Sequence, residues 1–443
     1  MKKNLLFILA VLLIGGMMLA GCGKKDEVAK TTDENQGGQN EENEKEKVEI
    51  NVWYTANESD PNDRDHAWMS ENIELFQKEN ENITIKTTII GGAGGADYRT
   101  KLSAEIAANN APDVFMTWGW GRMAPFAEAG KLYDLTDFIQ NDPEISKVIN
   151  EDNLGGVTFD GKYYGIPDAV DLHGLFYNKQ LFEENNLELP TSVDELIELC
   201  DIFSQKGITP ISFGNSVTWA VAIPYSTLLA DITDEGFSDE LWSGNPPSFT
   251  ERPYIESMEA LNRLVEANVF TENFNGIEVA ESVAAFKEGK AAMLLQGTWQ
   301  CSGLDAALGD NVGFFSFPSL SGNQVIQKAI PKAYAISAET EYPEESLAFL
   351  KFMFSPERQK AFSEKGAFVA TKDVGIDADA LSSVSKDIMD IMSLEGERYT
   401  YLFNVAFPDN LTTETQKVIQ GCTMGADIEE SFEKLQTFKE QSN

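Results

Sequence analysis

Cysteine is scarce in this 443-residue chain, with Cys22, Cys200, Cys301 and Cys422 its only four. They are too few and too far apart for a disulfide framework, and none has the spacing of a structural metal site. Cys200, Cys301 and Cys422 therefore read as small buried hydrophobes. Basic residues are also few: 34 Lys and Arg stand against 72 Asp and Glu, a formal net charge of −38. Such a surface repels nucleic acid and anionic substrates and keeps a chain soluble. Phosphate-cradling loops are missing as well. The glycines at 91, 92, 94 and 95 lack both the G-K-S/T ending of a Walker loop and the G-x-G-x-x-G spacing of a dinucleotide site. Asp60-Pro61-Asn62-Asp63-Arg64-Asp65, with Glu71 at the twelfth position, matches a calcium loop only in part. Arg64 takes a ligand position there and Asp65 replaces the turn glycine, so helix capping and turn chemistry are expected instead. No cofactor and no metal are expected. No internal repeat is evident.

What is present begins with an export pattern. Lys2 and Lys3 precede the apolar run Leu5–Ile14, which is too short and wrongly flanked for a membrane span. Leu19-Ala20-Gly21-Cys22 resembles the lipobox of bacterial lipoproteins. That resemblance implies a signal peptide over residues 1–21 and an acylated Cys22 as the membrane anchor. Residues 22–47 then form a tether, since Gly23–Lys47 holds only Val28 and Ala29 as apolar side chains and reads as disordered.

From Val48 the chain alternates strand and helix: strands at Val48–Tyr54, Ile83–Ile90 and Asp113–Trp118, helices at Trp68–Glu79 and Tyr98–Ala108. This rhythm predicts an α/β fold with helices on both faces of a sheet and ligands at the carboxyl ends of the strands. The length exceeds what one core serves, so two lobes are expected. The stretch Gly161–Leu199 organises the rest. Its extended runs Tyr163–Pro167 and Leu172–Tyr177 are joined through Asp168–Asp171, an acidic step expected to face a solvent-filled cleft because a buried, unpaired carboxylate is heavily penalised. Asn178–Lys179 turns the chain into a short helix, Gln180–Asn186. Ser192 and Glu195 have capping-box spacing for the next helix, and Gly207 is expected to end it.

Tryptophans recur at the ends of these elements. Trp118 and Trp120 alternate with Gly119 and Gly121 and are followed by Arg122; Trp219 sits in a polar segment, and Trp299 follows Gly297-Thr298 beyond the strand Ala291–Leu295. Broad apolar rings at strand ends suit stacking on the C–H face of a sugar ring.

Taken together the lipobox, Gly165-Ile166-Pro167, Phe176-Tyr177-Asn178-Lys179, Pro190-Thr191, Phe286-Lys287-Glu288-Gly289-Lys290-Ala291-Ala292-Met293, Gly297-Thr298-Trp299 and Ala406-Phe407-Pro408 resemble the carbohydrate-binding extracellular solute-binding proteins of ABC importers. The likeness runs from Val48 to the C-terminus. It implies the two-lobed periplasmic-binding-protein type II fold, with a hinge and an interlobe ligand cleft. It implies a first lobe of 48–169 with 311–356 and a second of 170–310 with 357–443. It also implies a monomer without catalytic activity at the outer face of the cytoplasmic membrane, held by the lipid on Cys22. There it would bind a neutral sugar or oligosaccharide and deliver it to the permease subunits.

Matched to maltodextrin-binding relatives, Trp118 and Trp299 fall on stacking tryptophans, Arg122 on a ligand-contacting arginine and Asp171 on a glutamate that binds sugar hydroxyls. Trp219 corresponds loosely to a second-lobe aromatic, and Trp120 and Tyr54 complete the ligand-binding set. This chain departs at Gly121, where those relatives carry an acidic ligand residue. Two alternatives remain. A secreted glycoside hydrolase needs a facing carboxylate pair, whereas Asp168 and Asp171, three apart on a strand, point to opposite faces. A binder of a sugar phosphate or glycerol phosphate needs a basic cluster, for which Arg122, His173 and Lys332 are the candidates; His173 otherwise reads as an ordinary strand residue.

Overall fold

The computed structural model describes residues 46–442, except 92–94, 243–245, 330–331, 373, 378, 380 and 395–397. The expected signal peptide, Cys22 and nearly all of the expected tether lie outside the described residues. The strands in chain order are β1 (Val48–Tyr54), β2 (Ile83–Ile89), β3 (Val114–Trp118), β4 (Thr158–Phe159), β5 (Lys162–Tyr163), β6 (Ile166–Pro167), β7 (Leu172–Asn178), β8 (Thr209–Ser212), β9 (Ala291–Gly297), β10 (Val312–Phe315), β11 (Val325–Lys328), β12 (Lys332–Ile336) and β13 (Arg398–Thr400). They form two main sheets, each with helices packed on it.

The first sheet runs β2-β1-β3-β12-β6. Its β1 pairs parallel with β2 and β3, while β12 is antiparallel to β3 and β6. Ile50, Val52 and Tyr54 alternate inward from β1 and meet Trp68, Phe76, Phe115 and Phe349 in one core. The helix Arg64–Glu79 starts four residues earlier than its apolar pattern suggests, because Asp63 caps it by accepting the His66 amide at 2.9 Å. Asp60 meanwhile accepts from the Asn62 amide, so this acidic stretch is used for turning and capping, as expected.

The second sheet runs β13-β11-β7-β9-β8, with β10 also on β7. Its larger core gathers Leu175, Phe203, Ile211, Tyr225, Tyr254 and Phe403; a smaller one on Phe176, Phe314 and Ile388 covers the other face. The helix Val193–Gln205 buries Val193, Leu196, Leu199, Cys200 and Phe203 along one stripe. Ser192 accepts from the Glu195 amide, and Glu195 reaches the Thr191 amide at 2.8 Å. Gly207 ends this segment at φ 74°. All three cysteines of the described residues are buried and unbridged.

Two expected lobe boundaries need correction. Asn311 was expected to return the chain to the first lobe, yet β10 pairs with β7 from Val312↔Asn178 to Phe315↔Leu175, and β11 also joins β7. The second lobe therefore keeps the chain through Lys328, and the return begins at β12. A fully buried Val-Gly-Phe-Phe strand fits either sheet by pattern alone; what fixes its place is Gly313, where a Cβ would lie 2.3 Å from the Tyr177 ring. The helix Pro356–Glu364, expected in the second lobe, belongs to the first, with Phe362 stacked on Trp68 at 4.2 Å between ring centroids.

Among the described residues the chain thus passes between the sheets at Asp168–Asp171, between Lys328 and Lys332, and at Gly366–Thr371. These crossings are bonded to one another. The Asp168 amide donates to Lys332 O (3.1 Å), the Ala329 amide to Asp171 O (2.8 Å), and the Ala370 amide to Asp168 O (3.1 Å).

Candidate functional site

The first group of polar residues between the sheets gathers at the crossings. Asp63 starts its helix so that Arg64 and Asp65 point back at the Asp168–Asp171 step. Arg64 donates from Nη2 to Asp171 Oδ2 at 2.5 Å, from Nη1 to Gly366 O at 3.2 Å and from Nε to Asp65 at 3.3 Å. Lys332 pairs with the other oxygen of Asp65. Thr298 donates to Asp171 Oδ1 at 2.8 Å and accepts from the Leu172 amide, tying the strand end before Trp299 to the crossing. Asp168 is 2 % exposed and Asp171 5 %. The acidic step is therefore not solvent-facing as expected. Asp171 tolerates burial because Arg64 of the first lobe neutralises it, whereas Asp168 has no ion pair among the described residues and its Oδ1 is buried without a hydrogen-bond partner. Burial raises the Asp168 carboxyl to about 7, Lys332 opposing and Asp65 reinforcing. Burial would also raise Asp65, but Lys332 and Arg64 together hold it below the ordinary carboxylate range.

The second group lies where β3 ends. Trp118 rests against Gly95, where a Cβ would come within 2.5 Å of the indole. Arg99 and Arg122 sit over its ring, at 5.3 and 5.6 Å from the centroid. Both reach across to Asp409 of the second lobe, at 3.6 and 3.4 Å. Burial pulls the Arg122 guanidinium down to about 9; Arg99 adds to that shift and Asp409 opposes it. Trp120 turns away from this platform. With φ at 56°, it packs on the second lobe's core, 5.8 Å from the Tyr401 ring. Beside it a Cβ on Gly121 would stand 2.5 Å from the Phe407 carbonyl. The glycine found where the resemblance suggested an acidic ligand residue is thus a point of backbone-to-backbone contact between lobes.

The third group belongs to the second lobe. Trp219 and Trp299 lie 5.9 Å apart, and His173, at the start of β7, meets Trp299 edge-on at 5.3 Å and Trp219 at 6.5 Å. Trp299 folds over Gly297, where a Cβ would touch the ring at 2.2 Å. Burial lowers the His173 imidazole to about 3, Asp171 countering only in part. A cavity of about 730 Å³ between the lobes is lined by Asn62, Arg64, Ser302, Asp305, Lys360 and Lys365 among others, and by none of the tryptophans.

Of the residues singled out from sequence, the structure brings Trp118 to Arg122 and Trp219 to Trp299. Trp120 is packed into the opposite lobe instead of lying with Trp118. Both oxygens of Asp171 are engaged, by Arg64 and Thr298. Tyr54 is 2 % exposed in the first core, because the alternation of β1 places it on the face of Ile50 and Val52. Sequence reading missed Arg64, Asp65, Arg99 and Asp409 and underrated His173. Arg64 and Asp65 stood in the stretch read as turn and capping chemistry, and Asp409 is an acid in the first turn of its helix; neither signal pointed to a partner across the lobes.

The profile of the family described as bacterial extracellular solute-binding protein matches residues 60–360. Among curated relatives, the multiple sugar-binding protein of Streptococcus mutans is 25% identical, covering 70% of this chain and 73% of the relative. A probable sugar-binding periplasmic protein of Brucella melitensis is 25% identical over 75% of this chain and 76% of its own. Among solved structures, a chitin oligosaccharide binding protein superposes with a TM-score of 0.77 at 24% identity, covering 88% of this chain and 98% of that one. A raffinose complex of a solute-binding protein gives 0.73 at 20% identity, with the same coverage. These two structures share the two-lobed fold. With these crossings between its lobes and a profile match that spans most of both, the chain belongs to the bacterial extracellular solute-binding proteins.

Proposed function

We propose that this protein captures a neutral saccharide between its lobes and hands it to the membrane permease of an ABC importer. One observation carries the reading: aromatic faces stand on both lobes, Trp118 on the first and Trp219 with Trp299 on the second, each beside polar groups able to bond hydroxyls. Flat apolar rings cover the C–H side of a pyranose while the polar groups take its rim. Sugar-binding relatives and oligosaccharide-bound neighbours of the same fold support this class of ligand. Arg99 and Arg122 are both paired with Asp409, which favours a neutral ligand over an anionic one. Ligand residues in this reading are Trp118, Arg122, Trp219 and Trp299. Asp171 acts behind them by fixing Thr298 and Arg64, and Trp120 acts in closure.

Calorimetric titration with raffinose, xylotriose, chitotriose and maltotriose tests the reading. Binding of at least one is expected; binding of none, with a peptide or polyamine bound instead, overturns it. The same solutions should release no reducing ends, since Asp168 and Asp171 are buried and Asp171 is tied to Arg64. Attachment through Cys22 to the outer face of the cytoplasmic membrane is part of the proposal. A clickable palmitate analogue should label the wild-type chain and not Cys22→Ser. The working unit is a monomer, for which sedimentation should give a single species near 49.0 kDa before processing.

A further inference from the structure

Buried polar atoms without partners are uncommon in folded proteins, and each calls for an explanation. Around the indoles of the second lobe several occur together. His173 Nδ1, Trp219 Nε1, Ser216 Oγ and Gln327 Oε1 are all buried and have no hydrogen-bond partner. They share one neighbourhood: His173 and Gln327 are directly opposed across β7 and β11, so their side chains stand on the same face of the sheet. Trp219 is in ring contact with His173, and Ser216 is three residues before it.

Backbone strain marks the same place. Among the described residues the non-glycine positions with positive φ are Asn or Asp, which tolerate that conformation, except Trp120 and Thr218. Thr218, β-branched at φ 65°, directly precedes Trp219. Such strain collects where the surrounding structure holds a functional group in place.

Resting on the sugar-binding reading, we infer that His173 is a specificity-determining residue, whose imidazole bonds one hydroxyl of a saccharide lying against Trp219 and Trp299. The chemistry fits. Burial keeps the ring neutral, with its pKa near 3. A neutral imidazole offers one donor and one acceptor, matching a hydroxyl that both gives and takes. The Trp219 N–H, on the ring that contacts His173, is a further unpaired donor. A hydroxyl read in this way is required, because its removal leaves the imidazole buried without a partner.

The test uses the tightest binder among raffinose, xylotriose, chitotriose and maltotriose, together with its monodeoxy analogues, titrated into the wild-type chain, His173→Phe and His173→Asn. In the wild type, one monodeoxy analogue should bind at least about tenfold more weakly than the parent sugar. In His173→Phe that difference should vanish, parent and analogue binding alike and both weakly, while His173→Asn should restore part of it. Thermal melts of all three proteins report folding, and His173→Asn carries the comparison if the phenylalanine disturbs packing. Equal weakening of the parent and every analogue in the variants would mean that His173 only packs, and the inference falls; unchanged affinity in both variants overturns it equally. Failure of the wild type to bind any sugar instead removes the reading on which the inference stands.

Discussion

Trp120 holds a backbone conformation costly for a bulky residue, of order 1 kcal/mol or more. Its indole offsets that cost by packing on the opposite lobe near Tyr401. Gly121 is fixed by the same contact. Substituting Gly121→Ala places a methyl against the Phe407 backbone, which has no flexible side-chain end to move aside. The expected result is weaker sugar binding by about tenfold, corresponding to a 1–3 kcal/mol overpacking penalty, with a larger radius of gyration in X-ray scattering. Unchanged affinity and radius would contradict the contact. Asp409→Ala removes the shared partner of Arg99 and Arg122. Asp409 is about half exposed, so its pairs are screened, and a loss of only about 0.5–1 kcal/mol of binding free energy is expected by calorimetry. At this scale the sequence was readable where a residue's role is local. Trp118 and Trp299 announced themselves at strand ends and Trp219 in a polar segment. Arg64, Arg99 and His173 did not, since each gains its partner from a segment far away in the chain: Arg64 meets Asp171 across 107 positions.

The helix Arg64–Glu79 shows how one local device positions a distant one. Asp63 accepts from the His66 amide with one oxygen and from the Asn57 amide with the other, both at 2.9 Å. It therefore fixes both the loop before the helix and the direction in which Arg64 leaves it. Asp63→Ala should cost about 1 kcal/mol of stability, with a possible range of roughly 0.5–2 for a lost cap, measured by urea denaturation. A change below 0.3 kcal/mol would show that the cap is dispensable, taking about that value as the noise of such measurements. Caps were legible where spacing marks them, and Ser192 and Gly207 stand where expected; the alternation of β1 instead puts Tyr54, expected at the ligand, into the core. The sheet to which β10 and β11 belong was not. A strand buried on both faces carries no alternation to distinguish one core from another, and only the pairing with β7 decides.

At the scale of the molecule, the crossings hold a charge cluster whose balance depends on pH. The Asp168 carboxyl is raised by burial to about 7, while the unfolded chain ionises it near 3.8. Between those values the folded state holds a proton that the unfolded state has released, so stability falls as pH rises from about 4 to 7 and levels off above. Asp65, lowered by Lys332 and Arg64 against its own burial, works the other way: its contribution is full above the ordinary carboxylate range and is lost on acidification. Asp168→Asn should thus raise stability at pH 8 by a few kcal/mol, about 4 at most from a three-unit shift, and change little near pH 4. Urea midpoints of wild type and variant at both pH values would measure this; a gain at pH 4 equal to that at pH 8 would rule out the ionisation as its cause.

The late arrival of β12 has a consequence for the order in which such a chain folds. The first sheet lacks its β3–β12 seam, and the core lacks Phe349 and Phe362, until residues well past the middle of the sequence have been made. A chain made from its N-terminus therefore cannot complete this core until its later residues are available. Closing the first sheet thus waits on a pairing between segments far apart in the chain, the slow kind of contact to form.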